Sequence, residues 1–212
     1  MNKRLAIPNS FRGLYLITDD VKLDDPQLDR ITCMIADGLP VLQYRRKHAS
    51  SDEKLDDARK LADLCRTTDT VLIINDDPEL THQVGAHGVH LGESDARVED
   101  AREYLGTGFI IGQSCYADID LAHAAMTAGA DYVAFGSFFP SHTKPAATPV
   151  TLEILTRAKT TLDLPIVAIG GITLESARQL FLAQTDMVAV MRDVWDHPDP
   201  VRRVREFLEL CE

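Results

Sequence analysis

The sequence has 212 residues, a formal net charge of −11 and 45% hydrophobic residues. This is ordinary globular composition with enough apolar material for a sizeable core. The acidic balance argues against non-specific binding to nucleic acid or to a membrane surface. We expect a soluble, cytoplasmic protein, because no signal peptide or run of ~18 apolar residues is present. The cysteines form no C-x-x-C pair, so we expect reduced thiols at Cys33, Cys65, Cys115 and Cys211.

Eight short apolar runs alternate with eight segments of helical character. Several runs are continuous rather than alternating, which is typical of strands buried on both faces of a parallel sheet. The predicted strands are residues 14–18, 41–45, 71–75, 88–91, 109–112, 132–135, 166–169 and 187–191. The predicted helices are residues 26–37, 51–66, 78–84, 95–105, 118–128, 151–159, 173–183 and 200–210, with Ser51 and Thr173 at the starts of two of them.

This alternation, at a spacing of roughly 25 residues, is the pattern of an α/β protein with a (β/α)8 TIM barrel. A doubly wound open sheet is the alternative. No linker or low-complexity tract divides the chain. We therefore expect a single barrel domain over residues 1–212, in which residues 1–12 form a short N-terminal extension. Chemistry in such a barrel lies at the C-terminal ends of the strands.

The loop after the sixth predicted strand is rich in hydrogen-bond donors and contains no carboxylate. It carries Ser141, His142, Thr143 and Lys144. Hydroxyls and an ammonium group suit the oxygens of a phosphate, so in this acidic protein the loop indicates an anion site. A solvated turn is the alternative interpretation.

The second predicted strand ends in polar and cationic residues. At a period of two, Gln43, Arg45 and Lys47 share one face. Such a triplet is costly at the barrel mouth unless it meets an anion or water. The alternative is that the strand has already ended in a solvated turn.

Carboxylates follow the third and fourth predicted strands, which are neighbours. Asn75 and Asp76 follow one strand, and Asp95 lies shortly after the other. Two carboxylates together with phosphate oxygens and water are the usual ligands of Mg²⁺. Asp77 or Asp95 could instead cap a helix, and for Asp95 taken alone the cap is the favoured interpretation.

Three further strand ends offer weaker signals. Ser114 could donate to a ligand or begin a turn, while the adjacent Cys115 has no cationic activator and is not expected to be a nucleophile. The glycine pair 170–171 opens a helix, where backbone amides can approach a phosphate or simply form a tight turn. Arg192, after the eighth strand, could clamp the same phosphate or lie in solvent.

Seven segments resemble the thiamine phosphate synthase family, in order and over about residues 13–200. They are GLYLITD at 13–19, LQYRRK at 42–47, LIINDD at 72–77, GVHLGESD at 88–95, IIGQS at 110–114, ADYVAFGSFFPSHTKP at 130–145 and PIVAIGGIT at 165–173. The combination of LQYRRK, HLGESD and the TKP loop is specific, whereas AIGGI occurs in many phosphate-binding barrels. The resemblance implies a Mg²⁺-dependent transferase that joins hydroxymethylpyrimidine diphosphate to a thiazole phosphate and releases pyrophosphate.

The resemblance also implies a role for each polar residue at the strand ends. The positions that match diphosphate-site residues are Gln43, Arg45, Lys47, Ser114 and Lys144, of which Arg45, Ser114 and Lys144 are the candidate catalytic residues. The other implied positions are Asn75 for the pyrimidine, Asp76 and Asp95 for Mg²⁺, Ser141 and Thr143 for the thiazole, and Gly171, Met191 and Arg192 for the thiazole phosphate. Ser141 and Arg192 depart from the common family pattern, which has Thr and Ser.

Two other functions remain open at this point. One is a thiazole phosphate tautomerase, in which His142 or His90 would move a proton and the metal pair would not be needed. The other is a non-catalytic barrel that binds a phosphate ligand. In each case the expected partners are small molecules rather than nucleic acid or membrane, and the sequence leaves self-association into a homo-oligomer open.

Overall fold

The computed structural model describes residues 11–140 and 150–211, in which eight strands alternate with nine helices. The strands are β1 (Gly13–Ile17), β2 (Val41–Tyr44), β3 (Val71–Asn75), β4 (Gly88–Leu91), β5 (Ile110–Tyr116), β6 (Tyr132–Gly136), β7 (Ile166–Ile169) and β8 (Met187–Val190). The helices are α1 (Asp25–Ala36), α2 (Ser51–Cys65), α3 (Pro78–Val84), α4 (Val98–Leu105), α5 (Ile119–Ala128), α6 (Leu152–Thr161), α7 (Leu174–Leu182), α8 (Arg192–Trp195) and α9 (Pro200–Leu210). None of these helices is long and apolar enough to span a membrane.

Each strand is parallel to the next, and β8 returns to pair with β1. The register of that closing pair joins Tyr15 to Ala189. The predicted (β/α)8 barrel is therefore confirmed, and the open doubly wound sheet is wrong. Because all strands run the same way, their C-terminal ends meet at one mouth.

Apolar side chains fill two separate layers. The larger layer lies between the strands and the helices, and the smaller one fills the barrel interior. Phe11 belongs to the interior layer and packs on Tyr132 with ring centroids 5.0 Å apart. Phe11, which was expected to belong to the N-terminal extension over residues 1–12, therefore lies in the barrel core.

Helix starts follow N-cap chemistry, with one change from expectation. Ser50, rather than Ser51, caps α2, and it forms a reciprocal capping box with Glu53. Thr173 caps α7 in the same way with Ser176. These side chains satisfy backbone N–H groups that have no partner within the helix.

Two features at the mouth were not predicted. The strand β5 continues to Tyr116 through an irregular register with β6 between Ser114 and Tyr116. The short helix α8 begins at Arg192, directly after β8, and the indole nitrogen of Trp195 donates to the carbonyl of Ile17 at 2.8 Å. This bond ties the connection after β8 to the end of β1.

Candidate active site

The end of β2 directs neighbouring side chains to opposite sides of the barrel wall. Gln43 is buried inside the barrel, where its Nε2 donates to the Tyr15 hydroxyl at 2.8 Å. Arg46 points outward, and its Nη1 lies 2.9 Å from Asp57 Oδ2 on α2. As the period of two predicted, Gln43 and Arg46 lie on opposite faces of the strand end. Arg46 connects β2 to α2.

Arg45 is held by residues at the end of β1. Its backbone N–H donates to Thr18 Oγ1 at 2.9 Å, and that hydroxyl donates to the Arg45 carbonyl at 3.2 Å. The guanidinium lies 3.8 Å from Asp20 Oδ2. The other carboxylate oxygen of Asp20 is buried and has no hydrogen-bond partner among the described residues. Asp20 was not singled out from the sequence, although its position after β1 in the ITDD segment placed it at a strand end.

Lys47, Asp76 and Asp95 meet at the ends of β2, β3 and β4. The Lys47 ammonium lies 3.1 Å from Asp76 Oδ2, and the Asp76 carboxylate is close enough to Asp95 to raise its pKa. The backbone of Asp76 is left-handed, with φ of 66°, and its N–H donates to the His90 carbonyl at 2.8 Å. That conformation is uncommon outside glycine, although Asp tolerates it better than most residues. Asn75, the last residue of β3, pairs in register with His90.

Asp95 is not a helix cap. Its Oδ2 accepts from the Gly92 N–H at 2.7 Å, and α4 begins only at Val98. The favoured sequence interpretation of Asp95 was therefore wrong, and the helix predicted from residue 95 begins three residues later. Asp77 does cap its helix, accepting from the Leu80 N–H at 2.8 Å. Desolvation and the neighbouring Asp76 carboxylate raise the pKa of Asp95.

The pair Asp76 and Asp95 fits a hard cation better than a zinc ion. Within residues 11–140 and 150–211, no three His, Cys, Asp or Glu side chains are grouped to hold a metal. Structural zinc sites need four such ligands and catalytic ones three. Mg²⁺ commonly takes one or two carboxylates and fills its shell with water and substrate phosphate oxygens. Desolvation and the neighbouring Asp76 carboxylate both disfavour the ionised form of Asp95, whereas a bound cation would favour it.

The irregular end of β5 sends Ser114 into the barrel and Cys115 out of it. The Ser114 hydroxyl lies 2.9 Å from His90 Nε2. Cys115 is fully buried between the strands and the helices, and burial raises the pKa of its thiol to about 12. A thiol that stays protonated is a poor nucleophile, in line with the sequence expectation.

A continuous series of hydrogen bonds crosses the barrel interior. Tyr15 and Tyr132 join their hydroxyls at 2.8 Å, and Tyr132 also contacts His90 Nδ1 at 2.9 Å. With the bonds from Gln43 to Tyr15 and from His90 to Ser114, this interior polar chain has five members: Gln43, Tyr15, Tyr132, His90 and Ser114. Burial lowers the pKa of His90 to about 4, so its imidazole is neutral at neutral pH.

The glycine turn after β7 is covered by the residues that follow β6. A Cβ on Gly170 would lie 2.0 Å from Ser137 Oγ, and one on Gly171 would lie 2.5 Å from the Pro140 carbonyl oxygen. Both glycines also have positive φ. Close packing of another loop is therefore one reason for glycine here, and approach of a phosphate to these amides stays a prediction.

Met191 and Arg192 lie beyond the end of β8. Met191 is partly buried against the interior apolar layer. Arg192 is the first residue of α8 rather than a strand residue, and its Nη1 lies 3.6 Å from Asp196 Oδ1 in an exposed ion pair. The predicted strand over 187–191 therefore ends one residue early. Ser141, His142, Thr143 and Lys144 fall outside the described residues, so their roles stay predictions.

The chain matches the family model described as thiamine monophosphate synthase over residues 14–194. It is 45% identical over 199 residues to thiamine-phosphate synthase of Azoarcus sp. (strain BH72), covering 94% of this chain and 97% of that protein. It is 43% identical over 202 residues to thiamine-phosphate synthase of Thioalkalivibrio sulfidiphilus (strain HL-EbGR7), covering 95% and 96%. The solved thiamine phosphate pyrophosphorylase from Pyrococcus furiosus superimposes with a TM-score of 0.85 at 30% identity, covering 95% of this chain and 96% of that chain.

These matches span nearly the whole barrel, including every strand end described above. They agree with the resemblance carried by the strand-end segments. The chain therefore belongs to the thiamine monophosphate synthase family and is an enzyme of thiamine biosynthesis, a transferase.

Proposed function

We propose that this enzyme joins hydroxymethylpyrimidine diphosphate to a thiazole phosphate, giving thiamine phosphate and pyrophosphate. The observation that carries the proposal is the ring of charges at the barrel mouth. Lys47 contacts Asp76, which neighbours Asp95, and Arg45, two residues before Lys47, faces Asp20 at the end of β1. A diphosphate that binds together with a divalent cation needs both kinds of group in one place.

The leaving diphosphate is bound by groups on β2, β5 and the loop after β6. Arg45 can give two parallel N–H bonds to phosphate oxygens, while Lys47 acts as a point charge. The Ser114 hydroxyl and the Gln43 amide contribute from the barrel interior, and Lys144 from the loop. Because negative charge on pyrophosphate grows as the bond breaks, the cations stabilise the transition state more than the ground state.

Asp76 and Asp95 would hold Mg²⁺. When held there, the ion would supply positive charge next to the diphosphate oxygens. Lys47, which is paired with Asp76, is then available to turn to a phosphate oxygen. The closeness of Asp76 to Asp95, together with the raised pKa of Asp95, supports this assignment of the two carboxylates.

The displacement needs positioning rather than a covalent enzyme intermediate. The bond between the pyrimidine methylene and the diphosphate oxygen breaks early, and its electron pair leaves with pyrophosphate. The thiazole nitrogen then bonds to the electron-poor carbon. Asn75 holds the pyrimidine, Ser141 and Thr143 hold the thiazole ring, and the thiazole phosphate is held at Gly171, Met191 and Arg192. Placing the nitrogen close to that carbon supplies much of the rate.

The test is to incubate the purified chain with both substrates and Mg²⁺ and to measure pyrophosphate. We expect release only when both substrates are present, and loss of release when a chelator removes the cation. Arg45→Gln should lower the rate strongly, whereas Arg66→Gln, at the exposed residue that follows α2, is the matched control. Conversion of the thiazole phosphate alone would favour the tautomerase, and binding without turnover would favour a ligand-binding barrel.

The finer expectations on partners and location stay part of this proposal. They are small-molecule substrates, a cytoplasmic location, no nucleic-acid or membrane partner, and self-association that the sequence leaves open. Gel filtration of the purified chain tests the last of these directly.

A further inference from the structure

We propose that the hydrogen bonds of the interior polar chain all have the same donor-to-acceptor direction, from Gln43 towards Ser114. This direction keeps the hydroxyl of Ser114 available as a donor. In this view Tyr15, Tyr132 and His90 are positioning residues that act through Ser114 and do not touch the substrate through these bonds. The inference rests on the proposed function, because a donating hydroxyl is what a diphosphate oxygen needs.

The direction of the series is set at the Gln43 end. The Gln43 amide nitrogen can only donate, and it lies 2.8 Å from the Tyr15 oxygen. Tyr15 therefore accepts there and gives its own single proton to Tyr132, 2.8 Å away. Because Tyr132 accepts from Tyr15, it donates its own single proton to His90 Nδ1 at 2.9 Å.

The His90 ring passes this direction on to Ser114. A neutral imidazole that accepts at Nδ1 carries its one proton at Nε2. That N–H then donates to Ser114 Oγ at 2.9 Å. Ser114 accepts this bond with one lone pair, and its own hydroxyl proton remains available for donation. Unlike the other four members of the chain, Ser114 is only partly buried, so its O–H can point to the barrel mouth.

Rotating the Gln43 amide by half a turn would reverse every link. Its carbonyl oxygen would accept from Tyr15, Nδ1 of His90 would carry the proton, and Nε2 would accept the proton of Ser114. Ser114 would then offer only lone pairs to the mouth. An anionic diphosphate is repelled by that arrangement and attracted by the first one.

The rings are packed so that the hydroxyls cannot swing away. A Cβ on Gly112 would lie 2.0 Å from a ring carbon of Tyr132, so glycine in β5 is what leaves room for this ring. On its other sides Tyr132 meets Phe11 at 5.0 Å, Tyr15 at 6.1 Å and His90 at 5.6 Å between ring centroids. Fixed rings hold the donor and acceptor atoms in line at low cost in conformational entropy.

The first experiment measures the tautomer of His90 by nitrogen-15 NMR of histidine-labelled protein. The His90 signals are assigned by their disappearance in His90→Gln. We expect an unprotonated Nδ1 and a protonated Nε2. The opposite tautomer, or a charged ring at neutral pH, would overturn the proposal. Because no turnover is measured, this result is independent of whether the proposed reaction is correct.

The second experiment is a double-mutant cycle between Tyr132→Phe and Ser114→Ala. Alone, Tyr132→Phe should lower kcat/KM for the diphosphate by about tenfold, less than the loss of a whole transition-state donor. The KM for the thiazole phosphate should not change. In the Ser114→Ala background, Tyr132→Phe should have almost no further effect. Full additivity of the two changes would show that Tyr132 does not act through Ser114.

Two controls separate this role from packing. Tyr44→Phe removes another buried tyrosine hydroxyl, which contacts Asp57 outside the barrel, and should leave the kinetics unchanged. His90→Gln places an amide donor near the position of Nε2 and should retain more activity than His90→Asn. If Tyr132→Phe does not fold, Tyr15→Phe serves in the same cycle with the same expected non-additivity. Equal kinetic losses in the Gln and Asn variants would contradict donation to Ser114.

Discussion

Lys47 Nζ lies 3.1 Å from Asp76 Oδ2, so a proposed diphosphate cation is paired with a proposed metal ligand. The ammonium reduces the negative charge that Asp76 and Asp95 would otherwise share. We expect a divalent cation bound at Asp76 to compete with this ammonium for the carboxylate. An ammonium displaced from Asp76 would lie close to the proposed diphosphate site, and we therefore expect the two binding events to be coupled.

Replacing Lys47 with Met should separate these two effects. We expect the KM for the diphosphate to rise by about tenfold, because one charge-assisted bond is lost. We expect Mg²⁺ to bind the protein alone about threefold more tightly, because a competing surface cation is removed. Titration calorimetry with Mg²⁺ and steady-state kinetics measure the two quantities. Lys60→Met, which breaks an ion pair on α2, is the control. Weaker Mg²⁺ binding in the Lys47 variant would contradict the competition.

Asp76→Asn tests the metal assignment against a neighbour in sequence. We expect turnover to fall by about a hundredfold, as metal-site changes commonly cost 10–100-fold or more, with partial recovery at high Mg²⁺. Asp77→Asn should change little, because Asp77 caps α3 and asparagine is also a good cap. The rate is measured against Mg²⁺ concentration for each variant. An Asp76 variant with the original rate and the original Mg²⁺ dependence would contradict the assignment of Asp76 as a metal ligand.

The sequence predicted the strand ends better than the barrel interior. Period two in LQYRRK separated Gln43 from Arg46, and the structure has one inside the barrel and the other on α2. This worked because a strand's alternation is a local property. For Asp95, helix-cap preference was misleading, because its partner is the Gly92 N–H in a turn that ends before α4 begins.

The other features that the sequence did not predict include contacts between residues far apart in the chain. Tyr15 and Tyr132 stand in apolar runs and look like ordinary core residues, and only closure of the barrel brings their hydroxyls together. Gly112 within a strand was the available signal, since glycine there often marks a close approach. The helix α8 has four residues and no apolar periodicity to reveal it, so Arg192 was expected in the connection after a strand rather than at the start of a helix.

His90 should make the stability of the fold depend on pH. Its pKa in the native protein is about 4, against about 6.5 for an unfolded chain. Below pH 6.5 the unfolded chain therefore binds a proton that the native protein does not. The contribution is fully present above that pH and is lost as the pH falls towards 4, amounting to about 3 kcal/mol.

Urea unfolding of the original chain and of His90→Gln at several pH values measures this term. From pH 7 to pH 4.5, we expect the free energy of unfolding of the original chain to fall relative to that of the His90→Gln variant. His48→Gln, at a side chain that is 92% exposed, is the control. A difference that is constant with pH would mean that His90 titrates alike in both states.

Arg192 is a residue at which the sequence resemblance implied a departure from the common family pattern. Arg192 opens α8, beside the turn that contains Gly171, and its side chain is 56% exposed. Its contact with Asp196 at 3.6 Å is an exposed ion pair, and such pairs contribute little. The guanidinium can therefore leave Asp196 for a phosphate and add a bidentate contact that serine cannot give.

In the proposed arrangement this phosphate is remote from the bond that breaks, so we expect its contacts to be alike in the ground state and the transition state. Such uniform binding lowers KM without raising kcat. We expect Arg192→Ser to raise the KM for the thiazole phosphate by about tenfold, equivalent to about 1.4 kcal/mol, with kcat nearly unchanged. Kinetics with the diphosphate saturating measure this, and Asp196→Asn, which frees the guanidinium, should not raise KM. An unchanged KM in Arg192→Ser would leave the phosphate to backbone amides and make Arg192 a surface residue.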